Sequence, residues 1–163
     1  INEVYYDPDS AHTVGGPDGD NNSEWIELYN PTGSTINVKD WKVTDNSGTE
    51  RTVSTSNRNI GPGEFAMLAK AANVRTLWSV DESQFIAIGE IFGNGLANTG
   101  DRVILKDNLG NIIDQMSYGT DTTVLSPSAS DVSDGHSLER DPDGLDTNTA
   151  ADFVDRTTPT PGT

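Results

Sequence analysis

The residues best able to do chemistry lie in the stretch 16–31, "GPDGDNNSEWIELYNP". Asp18, Asp20, Asn22 and Glu24 stand there at alternate positions, with backbone carbonyls between them. Hard oxygen donors of this kind suit calcium, which takes about six to eight of them. Asp7 and Asp9, in "DPDS", could complete the set. The stretch fails as an EF-hand. Counted from Asp18, the sixth position is Ser23 where a glycine is required, and the twelfth is Tyr29 where an acid is required. The expectation is therefore a calcium loop of another kind, in which the ion offsets the repulsion of crowded carboxylates. The competing reading is a solvated turn leading into a strand.

A second acidic cluster, "RDPDGLDTNTAAD", offers Asp141, Asp143 and Asp146, with Asn148 and Asp152 further on. It could wrap a cation, or it could be a hydrogen-bonded Asx turn that anchors the chain end. Other chemistries find less. The chain has no cysteine, which excludes disulfides, thiolate zinc sites and cysteine nucleophiles. It has no G-x-S-x-G elbow. His12 lies in a polar loop and His136 just before a strand pattern. The adjacency of His136 to Ser137 means little, because neighbours on a strand point to opposite faces. Glycoside hydrolysis needs two acids about 5–10 Å apart across a cleft. Glu3 and Glu27 sit on neighbouring strand candidates, but they read as scaffold. "GNGLAN" lacks the third glycine of a dinucleotide loop and reads as a turn. Trp25, Trp41, Trp78, Tyr5, Tyr6 and Tyr29 could form a carbohydrate platform if exposed side by side. Otherwise they pack the core, the expectation for Trp41. Asn21-Asn22-Ser23 is a glycosylation sequon inside the acidic loop.

Composition limits the partners. Against 26 Asp and Glu stand 10 Lys and Arg, for a net charge of −16. Scattered in that way, the cations form no dominant basic face, which argues against nucleic acid and against an anionic membrane surface. No apolar run approaches the roughly 18–20 residues that span a bilayer, so membrane insertion is not expected. Divalent cations are the favoured small partners, with acid-driven solubility as the plain alternative.

These residues must be positioned by strands. Hydrophobic residues make up only 33% of the 163, while Gly, Asn, Asp, Ser and Thr abound, as in a chain of many short strands and turns. "INEVYY" alternates Val4 and Tyr6 against Glu3 and Tyr5. "EWIELYN" alternates Ile26 and Leu28 against Trp25, Glu27 and Tyr29. Residues 7–24 form a long polar connection between them. Further strands are expected around Trp41 and Val43, after the turn "DNSGTE", over Phe65–Ala69, and in "FIAIG". "RVILK" and "IIDQMSY" flank "DNLGN" as a hairpin, and "GHSLERD" carries a last strand. One short helix is expected in "KAANVRTLWSV", with Ala72, Leu77 and Trp78 on one side. "TTPTPGT" reads as an extended linker. The organisation expected is one domain over 1–156 and a linker over 157–163. Strands at such short intervals imply an all-β sandwich or barrel. The opening at Ile1, already in a strand pattern and without a signal-peptide pattern, reads as a monomeric domain cut from a longer chain.

The order of "INEVYYDP", "EWIELYNPTGSTINVKDWKVTD", "IGPGEFAMLAK", "LANTGDRVILKDNLGNIIDQMSYG", "GHSLERDPDG" and a closing "TPG" resembles the lamin tail domain in its bacterial and archaeal form. "WIELYNP" and the G-D-x-V-x-L-x-D-x-x-G hairpin are its most specific parts. The resemblance implies an immunoglobulin-like β-sandwich with one short helix, and an extracellular or cell-surface setting, often beside hydrolase, nuclease or anchoring domains. It carries over no catalytic residue. The acidity and the insertion at 7–24 depart from the animal lamin tail. The function expected is a non-catalytic surface module, calcium-stabilised, that holds, targets or links a larger protein through a cell-surface protein or polysaccharide. The alternatives are a carbohydrate- or protein-binding module built on exposed aromatics, and a metal-dependent hydrolase or nuclease part.

Overall fold

The computed structural model describes residues 1–15 and 19–163. Its strands are β1 (Glu3–Tyr5), β2 (Trp25–Tyr29), β3 (Ile36–Asn37), β4 (Lys42–Thr44), β5 (Arg51–Thr52), β6 (Asn59–Ile60), β7 (Phe65–Ala69), β8 (Phe85–Ala87), β9 (Arg102–Lys106), β10 (Ile112–Ser117), β11 (Ser137–Arg140) and β12 (Phe153–Arg156). One α-helix, α1 (Ala72–Trp78), lies between β7 and β8. A six-stranded sheet runs β12-β11-β1-β2-β7-β8, a four-stranded sheet runs β10-β9-β4-β5, and β3 pairs with β6. The strand pairings are antiparallel except β7 with β8. A parallel neighbour needs a crossover, and here the crossover carries α1.

The alternation seen in the sequence builds the sandwich. Val4, Ile26, Leu28, Leu68 and Leu138 of the large sheet join Val43, Val103, Leu105 and Met116 of the smaller one in a single core. The chain thus folds as an immunoglobulin-like β-sandwich with one short helix. In the expected hairpin, β10 pairs with β9 and a bulge falls between Ile112 and Asp114.

Alternation alone does not predict that the outer face of the large sheet is buried as well. Tyr5, Trp25, Met67 and Ala69 on that face form a second apolar cluster with Val74 and Val80. The helix that covers them turns a different side inward than expected. Val74 is its buried residue, with Trp78 packed beside it, whereas Leu77 is exposed. Val74 and Trp78 stand at i and i+4 and share a face, while Leu77, about 100° round the helix from Trp78, is left at the exposed flank.

Two further differences concern the C-terminal part. "GHSLERD" is not the last strand, because β12 follows and pairs with β11. Residues 157–163, read as an extended linker, lie back on the sheet. The Thr160 amide donates to Glu3 at 3.2 Å, the Gly162 amide donates to Glu27, and Gln84 donates to the Gly162 carbonyl at 2.8 Å.

Candidate functional site

Topology gathers the acids of the first loop at one end of the sandwich. β1 ends there at Tyr5, opposite the start of β2 at Trp25, and Thr44 at the end of β4 faces Ile104 near the start of β9. The connections 7–24, 45–50, 93–101 and 131–136 therefore meet at this end. Of the expected calcium ligands, Asp18 lies outside the described residues. Asp20 is exposed, and its carbonyl accepts the amides of Ser23 at 2.7 Å and Glu24 at 3.2 Å. Asn22 takes Lys70 Nζ on Oδ1 at 2.6 Å. Ser23, in the sixth position counted from Asp18, pins the loop: its hydroxyl accepts the Val14 amide at 2.7 Å and donates to the Gly19 carbonyl at 2.6 Å.

Glu24 is the member of the set that goes inside. It is 1% exposed. Its Oε1 accepts the Leu96 amide at 3.0 Å, while its Oε2 has no hydrogen-bond partner among the described residues. Burial pushes its carboxyl well above the usual range, against the Leu96 amide, and the charges of Asp101, Asp45 and Asp20 push the same way. Asp45 and Asp101 were not singled out from the sequence. Both cap the same glycine-rich loop. Asp45 accepts the amides of Ser47 at 2.9 Å and Asn94 at 2.8 Å. Asp101 accepts those of Asn46 at 2.9 Å and Ala97 at 3.0 Å. Gly93 permits the close approach: at φ +47°, a Cβ there would fall 1.9 Å from the Asp45 carboxylate. "GNGLAN" is thus the turn expected, and carboxylates satisfy its buried amides. The signal for Asp45 and Asp101 was present, since both sit beside turn residues at strand ends, but 26 acids gave it no contrast.

Asp7 and Asp9 part company. Asp7 accepts from Asn98. Burial raises its pKa, and the charges of Asp134, Asp20 and Asp131 add to the rise, so it belongs to the acidic end. Asp9 is tied to His12 at 2.7 Å and accepts the Ala11 and His12 amides. Burial opposes these contacts, but together they hold its carboxyl below the usual range. His12 stacks on Trp78 with ring centroids 4.1 Å apart, which makes this turn part of the cover over the second apolar cluster.

The second acidic cluster lies at the opposite end, around a guanidinium. Arg140, 2% exposed, donates to Asp114 at 3.0 Å, Asp152 at 3.2 Å, Asp146 at 3.3 Å and the Ile1 carbonyl at 2.7 Å. Asp143 accepts from Asn2 at 3.1 Å, and Asp141 lies 3.9 Å from Arg156. These three acids therefore answer to three different partners. Among the described residues, no group of three or more His, Asp or Glu is arranged to hold a metal ion.

The aromatic platform is not formed. Tyr5 and Trp25 are fully buried, stacked with centroids 5.5 Å apart. Tyr29 and Trp41, both half-buried, instead line an apolar cleft of about 200 Å³ with Leu28, Ile36, Ile60 and Leu105. His136 lies just before β11, 2.8 Å from Asp155.

A third group was only half visible in the sequence. Glu3 pairs across the sheet with Glu27 on one side and Glu139 on the other, so three glutamates stand in a row on the outer face. All are buried. Ser137 donates to Glu3, Asn2 donates to Glu27 at 3.3 Å, and Arg156 pairs with Glu139. Burial pushes Glu3 up to about 7, with the Ser137 hydroxyl opposing and the Glu139 charge adding. Burial pushes Glu27 up to about 8, with the Gly162 amide opposing and the Glu3 charge adding. The reading of Glu3 and Glu27 as scaffold fits this buried, strap-covered placement. Glu139 was missed because its strand lies over 100 residues away in sequence.

Among known proteins, the family model that matches is the Lamin Tail Domain, over residues 1–120. That span takes in β1 to β10 and leaves β11, β12 and the strap outside it. A search of curated proteins found no match. The lamin tail domain is a non-catalytic immunoglobulin-like module, in keeping with an accessory role. With its sandwich and a match over most of its length, the chain belongs to the lamin tail domain family.

Proposed function

We propose that this chain is a non-catalytic accessory module of a larger extracellular or cell-surface protein, of the form found in bacteria and archaea. It holds or links its parent against a cell-surface protein or polysaccharide, and calcium orders its acidic end. The family match supports the accessory role. The net charge of −16 argues against nucleic acid. No helix among the described residues is long and apolar enough to cross a membrane.

One observation carries the cation part. Glu24 is buried with an unpartnered oxygen, in a field set by Asp101, Asp45 and Asp20. A buried carboxylate without a counter-charge is costly, and either a proton or a cation removes that cost. Asp20 and Glu24 would be its ligands, with Asp7 on the flank and Asp18 in the same loop.

Thermal unfolding tests this, first in EDTA and then across a calcium titration at fixed ionic strength, with magnesium as control. The expected result is a saturable rise in Tm that Asp20→Ala and Glu24→Gln abolish. At a calcium concentration 100 times Kd, binding to the native state alone adds about 2.7 kcal/mol. An unchanged Tm, or an equal response to any salt, would make the loop a solvated turn.

The cleft beside Tyr29 and Trp41 supports a second reading, in which the module binds an apolar group of a protein partner. Attenuation of the Leu28, Ile36 and Ile60 methyl NMR signals by a partner, lost in Trp41→Ala, would support it.

A further inference from the structure

The C-terminal strap is held in an unusual way. Pro159 and Pro161 have no amide hydrogen, so Thr160 and Gly162 are the donors along 159–162. Their amides go to Glu3 and Glu27, on adjacent strands. The Thr160 hydroxyl reaches Glu139 at 3.4 Å. The strap therefore crosses the strands and makes no ladder with them. Its far end rests on Gln84, in the turn before β8.

Beneath it the charges do not balance. Glu3, Glu27 and Glu139 face one cation, Arg156, and Arg156 is paired with Glu139. The other neighbours of the row are uncharged: Asn2 and Ser137 from the sheet, Gln84 from the turn, and Thr160 from the strap. Glu3 Oε2 has no partner among the described residues, although Glu3 is fully buried. With all three ionised, two negative charges would be left under the strap without a counter-ion. A proton on Glu3 and one on Glu27 remove them. Lifting the strap removes them as well, by letting water reach the carboxylates.

We propose that the glutamate row is a proton-operated latch: residues 157–163 dock over Glu3 and Glu27 when these carboxyls hold protons, and lift when the protons leave. The sign follows from linkage. Docking buries the groups, which raises their affinity for protons by more than the strap's own Thr160 and Gly162 amides lower it, so lower pH favours docking. The protons that hold the strap are lost as pH rises through about 7 and 8. The strap is the element that yields, because side-chain hydrogen bonds hold it and no strand ladder does. The latch would set whether the chain after Arg156 leaves along the sheet or free of it.

The chain has no cysteine, so Thr163→Cys gives a single site for a nitroxide label. The full chain so labelled should show an immobilised spectrum at pH 5 to 6, and a mobile component that dominates by about pH 9. In the Glu3→Gln/Glu27→Gln background, which keeps an acceptor oxygen but carries no charge, the label should stay immobilised throughout. An unchanged spectrum in the labelled native background would overturn the latch, as would the same transition in the double variant. Hydrogen exchange at the Thr160 and Gly162 amides of the unmodified chain tests it without substitution. Protection, corrected for intrinsic rate, should fall at least about tenfold between pH 6 and pH 8.5. Equal protection at both would overturn it.

Discussion

The outer face of the large sheet is closed in two different ways within one turn of the pleat. At one end Tyr5, Trp25, Met67 and Ala69 meet Val74 and Trp78 of α1. Two residues along β1 and β2, Glu3 and Glu27, with Glu139 beside Glu3 on β11, meet a strap of alternating prolines. The strands and the register are shared, so backbone geometry does not distinguish the halves. The side chains do. Large apolar groups are covered by a helix whose own apolar face replaces water. Carboxyls need donors, and a helix flank offers none because its amides are already used within the helix. A proline-broken segment keeps free amides at chosen positions and can present them. What a face carries decides what kind of cover it can keep, and whether that cover responds to pH.

Four measurements would break or sharpen this comparison. The largest effect of a single substitution is expected on the apolar half. Trp25→Ala leaves a void between Tyr5 and Trp78 and should cost about 3–5 kcal/mol in urea unfolding. A loss near that of a surface change would show that α1 contributes little.

The next effect belongs to the carboxyl half and appears in pH. Glu3 and Glu27 have folded pKa values of about 7 and 8, above the ordinary 4.5. Between those values the folded chain keeps protons that the unfolded chain has lost, so stability falls as pH rises. The full contribution is present below about 4.5 and is gone above about 8. The slope for each group is about 1.4 kcal/mol per pH unit at most. Unfolding free energies from pH 5 to pH 8.5 should show this decline, and Glu3→Gln/Glu27→Gln should flatten it while Trp25→Ala leaves it in place.

Smaller again is removal of the strap. A chain ending at Arg156 loses three amide or hydroxyl donors over the row. It should lose at most about 3 kcal/mol, since each hydrogen bond contributes about 1 kcal/mol net and the freed strap regains chain entropy. Carboxyl ¹³C titration should then place Glu3 and Glu27 nearer the ordinary glutamate value. Values unmoved by the deletion would mean that the sheet, and not the strap, keeps water out. The smallest effect is expected at Leu77, which α1 leaves 38% exposed. Leu77→Ser should change stability by less than about 0.5 kcal/mol, whereas Val74→Ala on the buried face should cost clearly more.

The fold was legible where alternation is strong. Val4, Ile26 and Leu28 announced the inner face, and "DNLGN" announced the hairpin that β9 and β10 form. Asp20, Asn22 and Glu24 share one loop, but the loop did not show that Glu24 turns inward to the Leu96 amide. It could not show the company Glu24 keeps, because Asp45 and Asp101 arrive from connections far away in sequence. The second cluster read as a cation site or an Asx turn. In the fold Asp146 meets Arg140, Asp143 meets Asn2 and Asp141 lies beside Arg156, and a sequence of one-letter symbols does not show which arginine faces inward.

By itself, the sequence determined the alternation of the strands, the turns between them, the absence of cysteine chemistry and the strongly acidic character. These are local or additive properties, set by residue type and by neighbours a few positions away. Tertiary structure decided the rest. Pairing β1 with both β2 and β11 brought three glutamates from distant segments side by side. Folding residues 157–163 back over them turned carboxyls that look ordinary in sequence into buried ones. Burial and charge depend on which distant groups meet, and pairwise meeting across a sheet is fixed only when the whole chain has found its register.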